Sequence, residues 1–323
     1  MRAVLLDDGL RLDRNYPAPH ENGLLPGEAL VRVRRAGVCN TDLELMRGYA
    51  AFRGVPGHEF VGVVEACPTA PHWEGRRVVG EINVACGACD DCHAGRGVHC
   101  ASRTVVGIRG RDGAFADYMT LTADNLHAVP DPVSDDQAVF VEPLAAAVQI
   151  TQQVHVRPTE RVVVLGDGKL GQLIAQVLAL TGCDLTIVGR HRSKLDILAA
   201  RGIDTLLADR SNPSPLTGAD LVVEATGTQS GFEAALQMVR PCGTLVLKST
   251  YHGVPQIDLS RIVVDEVQIV GSRCGPFDAA LRLLEQGLIE VEPLIQARFP
   301  LDQGVAALER AGVKGTLKVL IEI

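Results

Sequence analysis

The chain has 323 residues, of which 46% are hydrophobic, 22% charged and 4% aromatic. This length suits two domains, and the composition is that of a globular protein, which excludes general disorder. The 31 Lys and Arg against 39 Asp and Glu give a net charge of −8, which disfavours nucleic acid or an anionic membrane surface as a general partner. The longest apolar stretch, residues 162–180, is interrupted by Asp167 and Lys169 and is no membrane span.

The cysteines and the first residues indicate a reducing compartment. The N-terminal stretch turns acidic within eight residues and has no secretory h-region, so we expect no export. Nine cysteines are an odd number, and four of them lie within residues 86–100. In an unexported chain this crowding indicates metal binding rather than disulfides, and we expect a cytoplasmic protein.

The predicted elements change character along the chain. Short β-branched runs separated by Gly and Pro predict an antiparallel β domain in the first third. From about Asp136 helices alternate with apolar strands, which predicts a mostly parallel sheet of about six strands, doubly wound. After Gly271 two helices and two extended runs follow, and we expect these pieces to rejoin the first domain. A cleft between the two domains is the default place for an active site.

The strongest local motif is a C-x2-C-x2-C-x7-C arrangement made by Cys86, Cys89, Cys92 and Cys100. Four thiolates at these separations can bind one Zn²⁺ tetrahedrally, and a four-cysteine site has no open position, so its role is structural. A reduced loop without metal and an iron–sulfur cluster are the alternatives.

A second motif predicts a dinucleotide-binding fold. The apolar run 162–165 leads into the G-x-G-x-x-G fingerprint Gly166-Asp167-Gly168-Lys169-Leu170-Gly171 and then into a helix. In this context the glycines permit a tight turn and the approach of the backbone to a pyrophosphate. A glycine-rich turn without ligand is the alternative.

The end of the next strand bears on the choice of cofactor. A carboxylate that binds the adenosine ribose is expected there, but the chain reads Gly189-Arg190-His191-Arg192-Ser193. Positive charge at this point suits a 2′-phosphate, so NADP is favoured over NAD. The alternative is that the arginines begin a solvated helix.

A third constellation contains the ligand types of an open, catalytic zinc site: Cys39, His58 and a carboxylate. Each residue alone is more often a packed side chain. Glu142 precedes Pro143, which favours an extended backbone at Glu142 and a helix that begins at the proline.

Together these motifs resemble the medium-chain dehydrogenase/reductase superfamily, in its zinc-containing alcohol dehydrogenase branch. Glu142 and the Gly80-Glu81 pair are more similar to sorbitol and threonine dehydrogenases. The resemblance covers essentially the whole chain. It implies an α/β protein with a GroES-like β domain (residues 1–146, with the zinc lobe at about 84–102), a Rossmann domain with a doubly wound parallel sheet (147–272) and a C-terminal segment (273–323) that returns to the first domain.

The resemblance also implies roles for individual residues. Cys39 and His58 would bind the catalytic zinc, Glu59 and Glu142 compete for the remaining protein position, and Asp42 would orient His58. The substrate hydroxyl would bind zinc and lose its proton through Thr41, and its carbon would give hydride to the nicotinamide. Cofactor-binding residues would be Gly166, Gly168, Lys169, Leu170, Gly171, Gly189, Arg190, His191, Ala225, Thr226, Gly227 and Lys318. Glu44 stands three residues after Thr41, where the best-known members of the family have a histidine that completes the proton path.

The sequence therefore predicts a zinc-dependent dehydrogenase of a secondary alcohol, polyol or amino alcohol, with two zinc ions per chain and NADP or NAD. The alternatives are a zinc-free quinone or enone reductase of the same superfamily and a nucleotide-binding sensor without turnover. We expect a small-molecule substrate, no nucleic-acid or membrane partner, and a homodimer or homotetramer.

Overall fold

The computed structural model describes residues 1–19, 23–209, 216–250 and 256–323. It divides into two compact units. Unit 1 comprises Met1–Glu142 and Phe277–Ile323, and unit 2 comprises Pro143–Pro276. The boundaries between the units, at 142/143 and 276/277, lie a few residues from the domain limits predicted at 146/147 and 272/273.

The order of the elements follows the prediction. Strands dominate the first third of the chain, and helices alternate with strands after it. In chain order they are β1 (Ala3–Leu6), β2 (Leu10–Asp13), β3 (Glu28–Gly37), α1 (Asn40–Met46), β4 (Glu59–Ala66), β5 (Arg77–Gly80), β6 (Asn83–Val84), α2 (Asp90–His93), β7 (Thr104–Val106), β8 (Gly110–Arg111), β9 (Tyr118–Thr122), β10 (Leu126–Ala128), α3 (Asp135–Ala138), α4 (Val141–Gln153), β11 (Arg161–Leu165), α5 (Lys169–Ala179), β12 (Asp184–Gly189), α6 (Arg192–Ala199), β13 (Asp204–Leu207), β14 (Ala219–Glu224), α7 (Gln229–Met238), β15 (Val239–Leu247), α8 (Leu259–Val264), β16 (Gln268–Gly271), α9 (Phe277–Glu285), β17 (Ile295–Pro300), α10 (Gly304–Gly312) and β18 (Lys318–Glu322).

Unit 1 is organised around a sheet in the order β10-β5-β4-β3-β18-β17, with β9 also paired to β3. The C-terminal strand β18 pairs antiparallel with β3, so the end of the chain does return to the first β domain. Apolar side chains from both parts fill one core, for example Val31, Phe115 and Ile321, each at most 1% exposed. Burial of this apolar surface is the main stabilising contribution to the unit.

Register places three chain segments at one end of this sheet. Gly37 at the end of β3 lies opposite Glu59 at the start of β4 and opposite Leu320 in β18. The segment after β3, the start of β4 and the start of β18 are therefore neighbours. This end of the sheet carries Cys39, His58 and Lys318.

Unit 2 contains a six-stranded parallel sheet in the order β13-β12-β11-β14-β15-β16. Its central strands are buried on both faces because helices cover them, as the fully buried Val162, Val163 and Val164 illustrate. The order reverses between β11 and β14, and in such sheets ligands bind beyond the carboxyl ends of the strands at that point. The predicted parallel, doubly wound sheet is confirmed.

One local expectation is wrong. Glu142 was predicted to be extended, with a helix beginning at Pro143, but α4 already begins at Val141 and includes Glu142 in its first turn. Proline is tolerated in the first turn of a helix because the N–H group that it lacks would have no helical partner there. This tolerance outweighs the extended preference that Pro143 imposes on Glu142. Among the described residues, none of the helices has the length and apolar character needed to cross a membrane.

Candidate metal and cofactor sites

Three predicted metal ligands of unit 1 converge at the sheet end described above. The ligand atoms of Cys39, His58 and Glu59 all lie within 4.8 Å of one another. Cys39 caps the N-terminus of α1, where its backbone N–H donates to Asp42 Oδ2 at 2.8 Å. The cap fixes the direction in which the thiol leaves the backbone. Sulfur, nitrogen and carboxylate oxygen at this separation are a donor set that suits Zn²⁺.

Asp42 orients the histidine. Its Oδ1 lies 3.2 Å from His58 Nδ1, both side chains are almost fully buried, and neither atom has another hydrogen-bond partner in the described chain. The contact is not well aligned, so it is an electrostatic contact more than a good hydrogen bond. Burial alone would lower the pKa of His58, but the charges of Asp42 and Cys39 raise it well above its usual value. With Nδ1 directed at Asp42, Nε2 is the nitrogen left for a metal.

Glu59 has a buried cationic partner that the sequence did not predict. Lys318 Nζ donates to Glu59 Oε2, and both side chains are 1% exposed. The ammonium also lies 5.4 Å from the ring centroid of Phe140. Gly37 leaves room for this pair, since a Cβ at Gly37 would lie 2.5 Å from Glu59 Oε2. Lys318 was predicted to contact the cofactor; here its ammonium is paired with Glu59 inside unit 1, and the cofactor contact stays a prediction.

The other predicted catalytic residues are placed differently. Thr41 lies in the first turn of α1, and its Oγ1 accepts from the Cys39 thiol at 3.8 Å. Glu142 is not in the 4.8 Å group, so the structure brings Glu59, and not Glu142, together with Cys39 and His58. Glu44, at the position where the proton path was expected to depart from the family pattern, forms an ion pair with Arg47 at 2.6 Å.

The four cysteines of the lobe also converge. The Sγ atoms of Cys86, Cys89, Cys92 and Cys100 lie within 4.8 Å of one another. The Cys89–Cys92 and Cys86–Cys92 sulfur separations are 3.5 and 3.9 Å. A tetrahedral zinc with Zn–S bonds of 2.3 Å needs sulfurs about 3.8 Å apart, whereas a disulfide needs about 2.05 Å. All four are free cysteines, and their spacing fits a metal site.

Ionisation of the lobe thiols is uneven. The backbone N–H of Ala88, together with Cys100 and the N–H of Cys89, lowers the pKa of Cys86 to about 6. At Cys89 the backbone N–H of Cys92 favours the thiolate, but the neighbouring thiols and burial raise the pKa to about 11. Four adjacent thiolates repel one another, so a cation is needed to hold all of them ionised.

In unit 2 the three glycines of the fingerprint have the three geometries that a dinucleotide requires. Gly166 has a φ of +127°, and a Cβ there would lie 2.9 Å from the Ala225 backbone. A Cβ at Gly168 would meet nothing within 4 Å, and one at Gly171 would lie 1.9 Å from Gly166 O. The first glycine makes the turn, the second leaves open space for a pyrophosphate, and the third lets helix α5 pack against the strand. These residues therefore fit a nicotinamide dinucleotide.

The turn after β14 is held by a buried carboxylate. Glu224 Oε1 accepts from the backbone N–H groups of Thr226 at 2.6 Å and Gly227 at 3.1 Å, and it also accepts the Thr226 hydroxyl. Glu224 itself is fully buried. The predicted Ala225, Thr226 and Gly227 thus lie at the switch point, next to Gly166.

At the end of β12 the structure places Gly189, Arg190 and His191 where the sequence predicted a ribose or 2′-phosphate contact. Arg190 and Arg192 are exposed and His191 is half-buried. Their backbone is bound to a residue outside the predicted set, because Asp167 Oδ2 accepts from the N–H groups of Arg190 and His191, each at 2.7 Å.

Sequence reasoning missed Asp167, the pairing of Lys318 and the turn-holding role of Glu224. A signal was present for Asp167, since a carboxylate between the fingerprint glycines would repel a bound pyrophosphate unless other groups of the protein hold it. The pairing of Lys318 with Glu59 had none, because it joins positions far apart in the chain.

Comparison with family models gives two matches. Residues 25–131 match an alcohol dehydrogenase GroES-like domain, and residues 170–286 match a zinc-binding dehydrogenase domain. The first match contains the Cys39 group and the cysteine lobe, and the second contains most of unit 2.

Curated relatives and solved structures agree with these matches. The chain is 31% identical to erythritol/L-threitol dehydrogenase of Mycolicibacterium smegmatis, covering 91% of this chain and 90% of that one. It is 29% identical to L-threonine 3-dehydrogenase of Chelativorans sp. (strain BNC1), covering 96% and 94%. A zinc-binding dehydrogenase from Sinorhizobium meliloti 1021 bound to NADP superposes with a TM-score of 0.86, at 26% identity over 100% and 99% of the chains. An alcohol dehydrogenase from Escherichia coli CFT073 in complex with NADH superposes with a TM-score of 0.90, also at 26% identity over 100% and 99%.

Proposed function

Since this chain belongs to the zinc-dependent alcohol dehydrogenase branch of the medium-chain dehydrogenase/reductase superfamily, and is an NAD(P)-dependent oxidoreductase of alcohols or polyols, we propose how its own residues divide that work. Cys39, His58 and Glu59 are the candidate ligands of a catalytic zinc, and Cys86, Cys89, Cys92 and Cys100 of a structural one. The substrate is a small secondary alcohol, polyol or amino alcohol. The preferred cofactor is NADP.

The observation that carries this proposal is the convergence of a thiol, an imidazole and a carboxylate within 4.8 Å. A zinc ion bound there supplies Lewis-acid polarisation of the substrate oxygen. Asp42 keeps the His58 ring oriented. Lys318 holds the Glu59 carboxylate, and Thr41 offers a hydroxyl near the thiol for the substrate's proton. Glu142, which lies outside this group of three, remains a candidate ligand.

The preference for NADP rests on charge at the end of β12. Arg190 and Arg192 are exposed there, and the residues of this turn, from Arg190 to Ser193, include no carboxylate. Guanidinium groups bind phosphate with two parallel hydrogen bonds, whereas a ribose hydroxyl is usually held by a carboxylate at this place. A reducing compartment is consistent with the use of four thiols as metal ligands.

The test is to measure the change in reduced-nicotinamide absorbance of zinc-loaded enzyme. NADP and NAD are supplied separately, each with a panel of secondary alcohols, polyols and 3-hydroxy amino acids. We expect turnover with one substrate group, faster with NADP, and about two zinc ions per chain by elemental analysis. Binding of nucleotide with no turnover across the panel would instead support a nucleotide sensor, and full activity without the catalytic zinc would support a metal-free reductase.

The oligomeric state is a further part of the proposal. Strand β16 forms one edge of the parallel sheet, and α8 precedes it. Leu259, Val263 and Val264 on α8 are 64%, 73% and 79% exposed, and Ile269 on β16 is 39% exposed. An unpaired edge strand beside exposed apolar residues is a site of association. We propose that a second copy pairs at this edge, in a homodimer or homotetramer.

A further inference from the structure

We propose that Asp167, inside the glycine fingerprint, is a positioning residue that sets the selectivity of the enzyme between NADP and NAD. This proposal deepens the function above and rests on its assignment of a nicotinamide dinucleotide to unit 2. Asp167 acts through the turn that carries Arg190 and His191.

Asp167 joins two loops that are far apart in sequence. Oδ2 accepts from the backbone N–H groups of Arg190 and His191, each at 2.7 Å. The His191 ring Nδ1 lies 3.1 Å from both carboxylate oxygens, and Lys194 Nζ lies 3.9 Å from Oδ1. A carboxylate with this many donors is strongly held. The loop after β11 and the turn after β12 are therefore one fixed unit.

The packing at this point is tight. A Cβ at Gly189 would lie 2.6 Å from Cβ and Oδ2 of Asp167, so only glycine lets the carboxylate reach the turn. Asp167 is 7% exposed and Lys194 is 8% exposed. Gln172 adds a further tie, since its Nε2 donates to the Lys194 carbonyl at 2.9 Å.

This arrangement decides what the turn offers to a cofactor. The Asp167 carboxylate is 7% exposed and is held by donors from the protein. It therefore differs from the exposed carboxylate that accepts the ribose 2′-hydroxyl at the end of this strand in NAD-selective folds. Its charge is balanced by the buried Lys194. The exposed charges that remain on the turn are the guanidinium groups of Arg190 and Arg192. The carboxylate thus fixes the backbone from which positive groups project, and a 2′-phosphate is the complementary ligand.

The first variant is Asp167→Asn, which keeps the shape and removes the charge and one acceptor atom. The dissociation constants of NADPH and NADH are measured separately by nicotinamide fluorescence, with no substrate present. We expect the NADPH constant to rise about tenfold, the effect of one charge-assisted hydrogen bond, while the NADH constant changes less than about threefold. Asp196→Asn, an exposed carboxylate on α6, is the matched control and should change neither constant.

A double-mutant cycle distinguishes positioning from a general structural role. If Asp167 acts through Arg190, Arg190→Ala alone lowers NADPH affinity, and adding Asp167→Asn then costs much less than it does in the wild type. His191→Ala removes the imidazole ring beside Asp167 and keeps the backbone N–H bonds of Arg190 and His191, so it is a milder second variant should Asp167→Asn melt early in a thermal scan. His191→Ala should raise the ratio of the NADPH dissociation constant to the NADH dissociation constant, as Asp167→Asn does.

The outcomes separate this proposal from the one it rests on. An equal loss of affinity for NADPH and NADH contradicts the positioning role, and so do additive effects of Asp167→Asn and Arg190→Ala. Both results leave the dehydrogenase assignment intact. Tighter NADPH binding in Asp167→Asn also contradicts it, because the carboxylate would then be repelling the phosphate. If wild-type protein binds neither dinucleotide, the proposed function itself is wrong.

Discussion

The candidate zinc ligands depend on single side chains whose contacts are specific. Cys39 supplies the only thiol among the three converging residues, and its backbone is fixed by the cap with Asp42. Serine has the same shape but binds zinc far more weakly than a thiolate. Replacement of this one atom should therefore remove the metal and leave the fold.

We expect Cys39→Ser to lose one zinc ion per chain and to retain nucleotide binding. Turnover should fall by more than about a hundredfold. Replacement of a residue that is only hydrogen-bonded to a metal ligand already lowers metal affinity or activity by about 10- to 100-fold. Zinc content by elemental analysis and initial rates check both. Cys242→Ser, at an exposed cysteine of unit 2, is the control and should change neither. An active, fully metal-loaded Cys39→Ser enzyme would remove Cys39 from the site.

The Glu59–Lys318 pair gives a second prediction at this scale. Both groups are 1% exposed, so in the zinc-free protein Lys318→Met leaves a carboxylate buried without its cation. Removal of one partner of a buried pair costs about 3–5 kcal/mol of unfolding free energy. We expect that loss in denaturant unfolding, and a partial recovery in Lys318→Met combined with Glu59→Gln. Equal stabilities of the single and double variants would mean that the ion pair does not hold Glu59.

Elements that lie far apart in the chain meet at His127. This residue of β10 stacks on Phe277 at the start of α9, with ring centroids 5.3 Å apart. Its Nδ1 lies 2.7 Å from Asp278 Oδ1, and its Nε2 lies 3.3 Å from Glu81 Oε1. Burial alone would lower the pKa of His127, but the bonds to Glu81 and Asp278 raise it. The charged ring thus fastens α9 to the β sheet of unit 1.

The raised pKa makes this fastening depend on pH. The folded pKa lies above the unfolded value of about 6.5, so the stabilisation is fully present below pH 6.5 and is lost as pH rises through the folded pKa. We expect the difference in unfolding free energy between wild type and His127→Gln to shrink from about pH 6 to pH 9. His155→Gln, at an exposed histidine, should show no such trend. A difference that is constant or grows with pH contradicts the assignment.

Element types and parallel pairing could be predicted from sequence because they depend on local periodicity and glycine positions. Gly166 and Gly171 are examples, since close contacts exclude any side chain at both. The Glu59–Lys318 pair could not be predicted, because it depends on β18 adding to β3 near the end of the chain. The predicted start of α4 was wrong because a proline fits the first turn of a helix, and Glu142 is helical despite the extended preference of a residue before proline.

At the scale of the whole molecule, the exposed apolar residues of α8 beside the edge strand β16 are the proposed contact with a second copy. Val264 is 79% exposed, and its neighbour Val263 is 73% exposed. A charge placed in an apolar interface must lose its hydration without gaining a partner, which costs several kcal/mol. The two valines are therefore sensitive positions if a second copy covers them.

We expect wild-type protein to sediment as a dimer or tetramer. Val264→Asp should sediment as smaller species at micromolar concentration, because the buried charge raises the dissociation constant of the subunit interface by orders of magnitude. Val313→Asp places the same charge at a 53% exposed valine of unit 1 and should leave the association state unchanged. Both variants should keep wild-type zinc content, because neither position lies at a metal ligand. A wild-type protein that sediments as a monomer would mean that no second copy covers the apolar edge of α8 and β16. A Val264→Asp variant that stays fully assembled would place the interface elsewhere.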